Sequence, residues 1–238
     1  MSDIKISVIV PVLNEEKTIS SFLKSLDDQK YPADEIIICD GGSSDETINI
    51  IKNYKSKNNN IYLTSELSIC RGSGRNIAIK SSKNKYVAMI DAGTIADCYW
   101  LLNMVNKLKK NKKIHVVYGV VKPIIENLYD SSLATVILGK YYKNNELIPS
   151  VSSMLVNRNI FNQVGFFPTH KNGKYVVEDL IFLKNLNQNK NIIKQNCNEA
   201  VVNWHLSKNY FSLILRFISN SRGGIANGFF KNWHLKTL

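Results

Sequence analysis

Four short apolar runs, alternating with stretches of helical spacing, constrain most tightly what this chain can fold into. Ile6-Ser7-Val8-Ile9-Val10 stops at Pro11, Ile36-Ile37-Ile38-Cys39 at Asp40, and Tyr86-Val87-Ala88-Met89-Ile90 at Asp91, with Ile61-Tyr62-Leu63 between them. The runs at Ile6 and Ile36, rich in β-branched residues, suit buried parallel strands, and those at Ile61 and Tyr86 read as a third and a fourth strand. Ile19, Phe22, Leu23 and Leu26 fall at i, i+3, i+4 and i+7, and Trp100, Leu101, Met104, Val105 and Leu108 form a second such stripe. Each stripe is one face of an amphipathic helix. Ser43 to Asp45 can cap a helix carrying Ile48 and Ile51, and Arg75 to Ser82 is predicted helical. The alternation predicts an α/β sandwich of parallel strands and crossover helices. In such sheets the ligand crevice lies beyond the carboxyl ends of the strands. Three polar loops, Pro11 to Glu15, Asp40 to Asp45 and Asp91 to Thr94, are expected to meet there.

Beyond residue 112 the pattern loosens. Val116 to Val121 and Ser152 to Val156 read as strands, 131–143 and Leu180 to Leu186 as helices, and Thr169 to Tyr175 as a loop. The tail from Tyr210 to Trp233 is apolar around Leu213 to Ile218 and broken by Gly223-Gly224. No repeat or Pro/Gly/Ser-rich linker divides the 238 residues, so a single domain is expected.

With 31 basic and 19 acidic residues the net charge is +12, which favours anionic partners. The excess is lysine, spread through stretches such as Lys52 to Asn58, with arginine only at 71, 75, 158, 216 and 222. Spread lysine reads as solvated surface. With no aromatic–basic interleaving and no recognition helix, nucleic acid is not the expected partner. An apolar share of 44% excludes a disordered chain. No apolar run reaches the roughly 18 residues of a membrane span, and the first residues lack a signal-peptide pattern. Cys39, Cys70, Cys98 and Cys197 have no metal-binding or disulfide spacing. A cytoplasmic location is expected, with the basic, apolar tail able to lie at the inner face of the cell membrane.

Five constellations can carry chemistry, and each has a plainer alternative. Asp40-Gly41-Gly42-Ser43-Ser44-Asp45 is either a ligand contact at a strand end or a capping turn. Arg71-Gly72-Ser73-Gly74-Arg75-Asn76 sets two guanidiniums around a glycine turn, suited to phosphate or a nucleobase edge, or is a surface cap. It lacks the third glycine of a dinucleotide fingerprint. Asp91 is a metal-binding carboxylate or a cap. Glu178-Asp179 is a general base pair or two acids at a helix N-terminus. His205, after Val201-Val202-Asn203-Trp204, is a ligand or an ordinary core or surface histidine.

The order of these pieces resembles the family-two glycosyltransferases, nucleotide-sugar enzymes with the GT-A fold. SVIVPVLNEEKTI is similar to that family's first strand and acidic turn, DEIIICDGGSSDET to its DGSSDxT signature and RGSGRNIAI to its arginine–asparagine helix start. YVAMIDAGT stands in the place of its DxD strand, GFFP of its Gly-Phe-Pro turn and VEDLIF of its ED motif. The resemblance implies a GT-A-like, Rossmann-type sandwich, a mostly parallel central sheet flanked by helices. It divides the chain into a nucleotide-binding half (1–110), an acceptor-binding half (111–205) and a C-terminal helical segment (206–238). It implies an inverting transferase acting by single displacement on a nucleoside-diphosphate sugar, with a glycan or lipid-linked acceptor. Pro11, Asn14, Glu15, Asp40, Arg71, Arg75 and Asp91 are then expected at the nucleotide and Arg216 and Arg222 at the diphosphate. Glu178 is expected at the acceptor, Asp179 as the base, and Asp91 with His205 at a divalent metal, Mn²⁺ or Mg²⁺. Gly93 stands where the family has its second DxD carboxylate. That departure keeps open an alternative, a non-catalytic nucleotide-sugar or glycan binder on the same scaffold.

Overall fold

A computed structural model describes residues 4–57, 60–65, 70–138, 150–169, 177–206 and 218. Its strands are β1 (Ile6–Val12), β2 (Glu35–Asp40), β3 (Ile61–Ser65), β4 (Tyr86–Met89), β5 (Thr94–Ala96), β6 (Val116–Pro123), β7 (Met154–Asn157) and β8 (Lys194–Trp204). Its helices are α1 (Ile19–Asp27), α2 (Thr47–Asn53), α3 (Arg71–Ser81), α4 (Trp100–Lys110), α5 (Leu128–Leu138), α6 (Ile160–Val164) and α7 (Glu178–Gln188). All strands join one sheet in the order β3-β2-β1-β4-β7-β6-β8-β5. β3, β2, β1 and β4 are mutually parallel; β7 runs antiparallel to β4 and β6, β8 parallel to β6, and β5 antiparallel to β8.

The pleat of β1 sorts its side chains by parity. Ile6, Val8, Val10 and Val12 pack with Phe22 and Leu23 of α1 and Trp100, Met104 and Val105 of α4. Ile9 faces the other layer, where Ala78 and Ile79 of α3 meet Phe161 of α6 and Phe182 and Leu186 of α7. This period-2 alternation gives two cores, one on each face of the sheet. Among the described residues no helix is long and apolar enough to cross a membrane, and Cys39, Cys70, Cys98 and Cys197 form no disulfide.

Several boundaries differ from expectation. β1 does not stop at Pro11 but runs to Val12. Ile90 N donates to Ile9 O and Gly41 N to Val12 O, so Pro11, in phase with Ile9, turns its nitrogen towards β4. The β4 pairing ends at Ile9 and Met89, so the missing N–H breaks no ladder bond. The strand expected over Ser152 to Val156 begins with a 3₁₀ turn, Val151–Ser153, before β7. The helix expected over 131–143 is α5, three residues earlier; 139–143 lie outside the described residues. So do 170–175 of the expected loop and, apart from Leu206 and Ile218, the segment 206–238 with Arg216 and Arg222.

Candidate active site

The parallel strands β1, β2 and β4 bring their carboxyl ends to one rim, and hydrogen bonds knit the loops there. The Asp40 carboxylate, buried at the end of β2, accepts from Gly42 N at 3.0 Å, Ser43 N at 3.1 Å and Ser43 Oγ at 2.6 Å. Its turn is thereby closed from within. Asn14, held at φ +54°, donates its main-chain N–H to Ser43 Oγ at 2.9 Å and accepts from Ser44 N through Oδ1 at 2.9 Å. Glu15 N donates to Thr47 Oγ1 at 2.7 Å. The expected cap within Ser43 to Asp45 falls on Asp45: α2 starts at Thr47, whose N–H donates to Asp45 Oδ1 at 3.1 Å, while Asp45 Oδ2 accepts from Glu16 N.

The second part of the site is built around Arg75. The glycine segment is not a turn before a helix, as the sequence suggests, but the first turn of α3 itself. Gly72 and Gly74 serve close packing. A Cβ at Gly72 would stand 2.8 Å from Pro168 O, and one at Gly74 would meet Pro11 Cβ at 3.5 Å. This approach buries the Arg75 side chain to 1% exposure. Its Nη2 donates to Asp91 Oδ1 at 2.7 Å, its Nη1 donates to Asp179 Oδ1, and Glu178 Oε1 lies 3.8 Å from Nη1. The guanidinium carbon sits 5.3 Å from the centre of the Phe167 ring, within cation–π range. Phe167 is fixed by Asn76, which donates to its carbonyl at 2.8 Å and accepts from its N–H at 3.0 Å, and its ring stacks on Phe182 at 4.4 Å.

The electrostatics separate the acids. Burial works against the charge of Asp91, but Arg75 and then Arg71 outweigh it, and the Ser152 hydroxyl donates at 2.6 Å; the carboxyl is held down at about 2. Asp179 moves the other way: burial raises it and the Asp91 charge adds to this, against the pull of Arg75. Glu178 is raised by burial and by Asp179. Burial also opposes the charge of Arg75, but Asp179, Asp91 and Glu178 overcome it and keep the guanidinium protonated. The Asp179 side chain remains 35% exposed, so water still reaches it.

Of the expected site residues, Arg75, Asp91, Glu178 and Asp179 form one contiguous cluster. The Arg71 guanidinium lies 4.0 Å from Asp91 and is 53% exposed. Pro11 lies beneath α3, and Asn14, Glu15 and Asp40 belong to the adjoining loop pair. His205 is exposed, one residue past β8. No hydrogen bond or ion pair among the described residues joins Asp40 or His205 to the cluster. Sequence reasoning overlooked Ser152, which sits in no motif, and assigned no role to Phe167, although its Gly-Phe-Phe-Pro segment was a visible signal.

Residues 7–167 match the family described as Glycosyl transferase family 2. The poly-beta-1,6-N-acetyl-D-glucosamine synthase of Staphylococcus epidermidis is 34% identical over 122 residues, 51% of this chain and 29% of that protein. The present chain thus spans less than a third of that relative's length. The UDP-Glc:alpha-D-GlcNAc-diphosphoundecaprenol beta-1,3-glucosyltransferase WfgD of Escherichia coli is 26% identical over 220 residues, 89% of this chain and 81% of that one. The crystal structure of glucosyl-3-phosphoglycerate synthase from Mycobacterium tuberculosis, in complex with Mn²⁺, UDP and phosphoglyceric acid, superposes with a TM-score of 0.61 at 19% identity. That match covers 92% of this chain and 75% of the other.

Proposed function

The chain belongs to glycosyl transferase family 2 and has the GT-A fold, and from that premise we propose that it is an inverting glycosyltransferase. It moves a hexose-type sugar from a nucleoside diphosphate to a hydroxyl of a glycan or lipid-linked acceptor. The relatives named for UDP-glucose, a diphosphoundecaprenol-linked acceptor and a polymeric glycan support this substrate class. The observation that carries the reading is the Arg75 bridge. It ties Asp179, at the start of α7, to Asp91, at the rim where a donor would lie.

Pro11, Asn14, Glu15, Asp40 and Asp91 line the nucleotide pocket in this reading, with the exposed Arg71 fork facing the phosphates. Arg75, fully engaged by carboxylates, acts as a positioning residue beneath them. Arg216 and Arg222, which lie outside the described residues, are assigned to the diphosphate in this reading. Glu178 orients the acceptor, whose hydroxyl oxygen attacks the anomeric carbon while Asp179 accepts its proton. Because Arg75 occupies Asp179 Oδ1, Oδ2 is the oxygen that takes the proton. The bond from the anomeric carbon to the diphosphate breaks, its electron pair leaves with the nucleoside diphosphate, and one displacement inverts the centre.

A divalent metal fits the chemistry of the donors: Asp91 stays ionised well below neutrality, and His205 presents an exposed imidazole. Hard cations often take one or two protein donors and complete their shell with phosphate oxygens. Among the described residues no three ligating side chains converge, in keeping with a site completed by the donor. When bound, the metal neutralises charge on the departing diphosphate.

Substitution at the base tests the proposal. Asp179→Asn lowers kcat by about 10²- to 10⁴-fold, the usual worth of a general base, with nucleotide-sugar affinity retained in calorimetry. Undiminished transfer by this variant removes Asp179 from the role.

A further inference from the structure

We propose that Glu15 supplies the carboxylate ligand that position 93 does not, and that it, in place of the Asp91 assigned above, holds the donor's divalent cation together with His205. The inference deepens the reading above and rests on it.

Three observations converge on Gly93. It turns the chain between Asp91 and β5 with φ +78°, and a Cβ built there would stand 2.8 Å from Glu15 Oε2 and 3.1 Å from Oε1. The space in which a side chain at 93 would begin is therefore taken by a carboxylate arriving from the end of β1. The antiparallel register then brings in the histidine. β5 and β8 pair Ile95 with Asn203 and Thr94 with Trp204, so Gly93 and His205 are the residues immediately beyond the last pair. The Glu15 carboxylate thus meets this glycine, and the end of the β5–β8 pairing brings the backbone of His205 to the same end of the strands.

The third observation is the state of the two acids. Asp91 already has its charge met, Oδ1 by Arg75 and Oδ2 by the Ser152 hydroxyl. Glu15 has no ion pair among the described residues; Oε2 accepts a hydrogen bond from the Thr18 hydroxyl, and none is made to Oε1. Its main chain is pinned by Thr47, so the carboxylate is presented from a fixed backbone, and Thr18 orients it as an outer hydrogen bond orients a metal ligand. An oxygen donor beside an imidazole, with phosphate oxygens to complete the shell, suits Mn²⁺ or Mg²⁺.

The test measures UDP affinity of the full chain by calorimetry with and without Mn²⁺, with unliganded melting temperatures confirming that each variant is folded. Wild type binds UDP about 10-fold or more tightly when Mn²⁺ is present, within the usual range for coupled ligands. In Glu15→Gln and in His205→Ala that ratio collapses towards one. Glu16→Gln, the neighbouring acid turned towards α2, keeps the wild-type ratio. A wild-type ratio in Glu15→Gln, an equal loss in Glu16→Gln, or a wild-type protein indifferent to Mn²⁺ each overturns the assignment. These outcomes differ from failure of the underlying reading, in which wild type binds no nucleoside diphosphate or nucleotide sugar.

Discussion

Arg75 is the residue on which the site turns, because a single buried cation holds two carboxylates that would otherwise repel one another. Breaking a buried ion pair from one side costs about 3–5 kcal/mol. Arg75→Met is expected to lose stability of that order in urea denaturation. Arg75→Lys recovers part of it but not transfer activity, since an ammonium lacks the planar fork that spans both acids. The two carboxyls also set the pH response. Asp179, raised by burial, must be ionised to accept a proton, so kcat falls as pH drops through its elevated pKa. The acid limb of the pH–rate profile is therefore expected above the ordinary aspartate value and is absent in Asp179→Asn. In the sequence Arg75 and Arg71 looked alike, two guanidiniums flanking glycines. What separates them is depth and not phase: four positions apart they share a face of α3, but Arg71 is its first residue and stays half-exposed, whereas Arg75, one turn further in, is buried against Phe167. Ser152 was not legible at all, because a hydroxyl that meets Asp91 across 61 positions leaves no local pattern.

At the scale of elements, the approach of α3 to the Pro168 backbone and to α7 decides where the acid pair stands. Gly72 permits it, since a methyl there meets Pro168 O at 2.8 Å and Glu178 Cβ at 3.2 Å. Gly72→Ala is expected to cost roughly 1–3 kcal/mol, the range for overpacking a close contact, with a lowered melting temperature. Transfer activity falls with it, because the displaced neighbour carries Glu178 and Asp179. β1, β2 and β4 and the stripes of α1 and α4 were legible because burial on both faces leaves continuous apolar runs and one-sided packing leaves a 3.6-residue period. β5 was not: three residues are too few for a period, and its antiparallel partner lies more than a hundred positions away. The glycine segment was misread as a turn because glycine weakens a helix on propensity alone, and only the packed neighbours show why α3 tolerates two.

Across the whole molecule, the charge of +12 bears on an acceptor carried in a membrane. If the lysine-rich surface serves that role, the protein sediments with vesicles containing anionic lipid at low ionic strength. Raising salt from about 0.1 M to about 1 M, which shortens the Debye length from ~10 to ~3 Å, then releases it. Sedimentation with neutral vesicles alone contradicts this role. The sequence disclosed the all-parallel half far better than the rest, because β6, β7 and β8 mix directions and take their neighbours from distant parts of the chain. The same long reach governs the order of assembly. Arg75 finds Asp179 only across 104 positions, so in a nascent chain that has emerged as far as residue 150 the cation lacks the acids of α7 that offset the cost of its burial. The acid cluster therefore completes late in synthesis, after the loop pair closed within residues 14–47, and a translation product truncated near residue 150 is expected to leave α3 open to proteases.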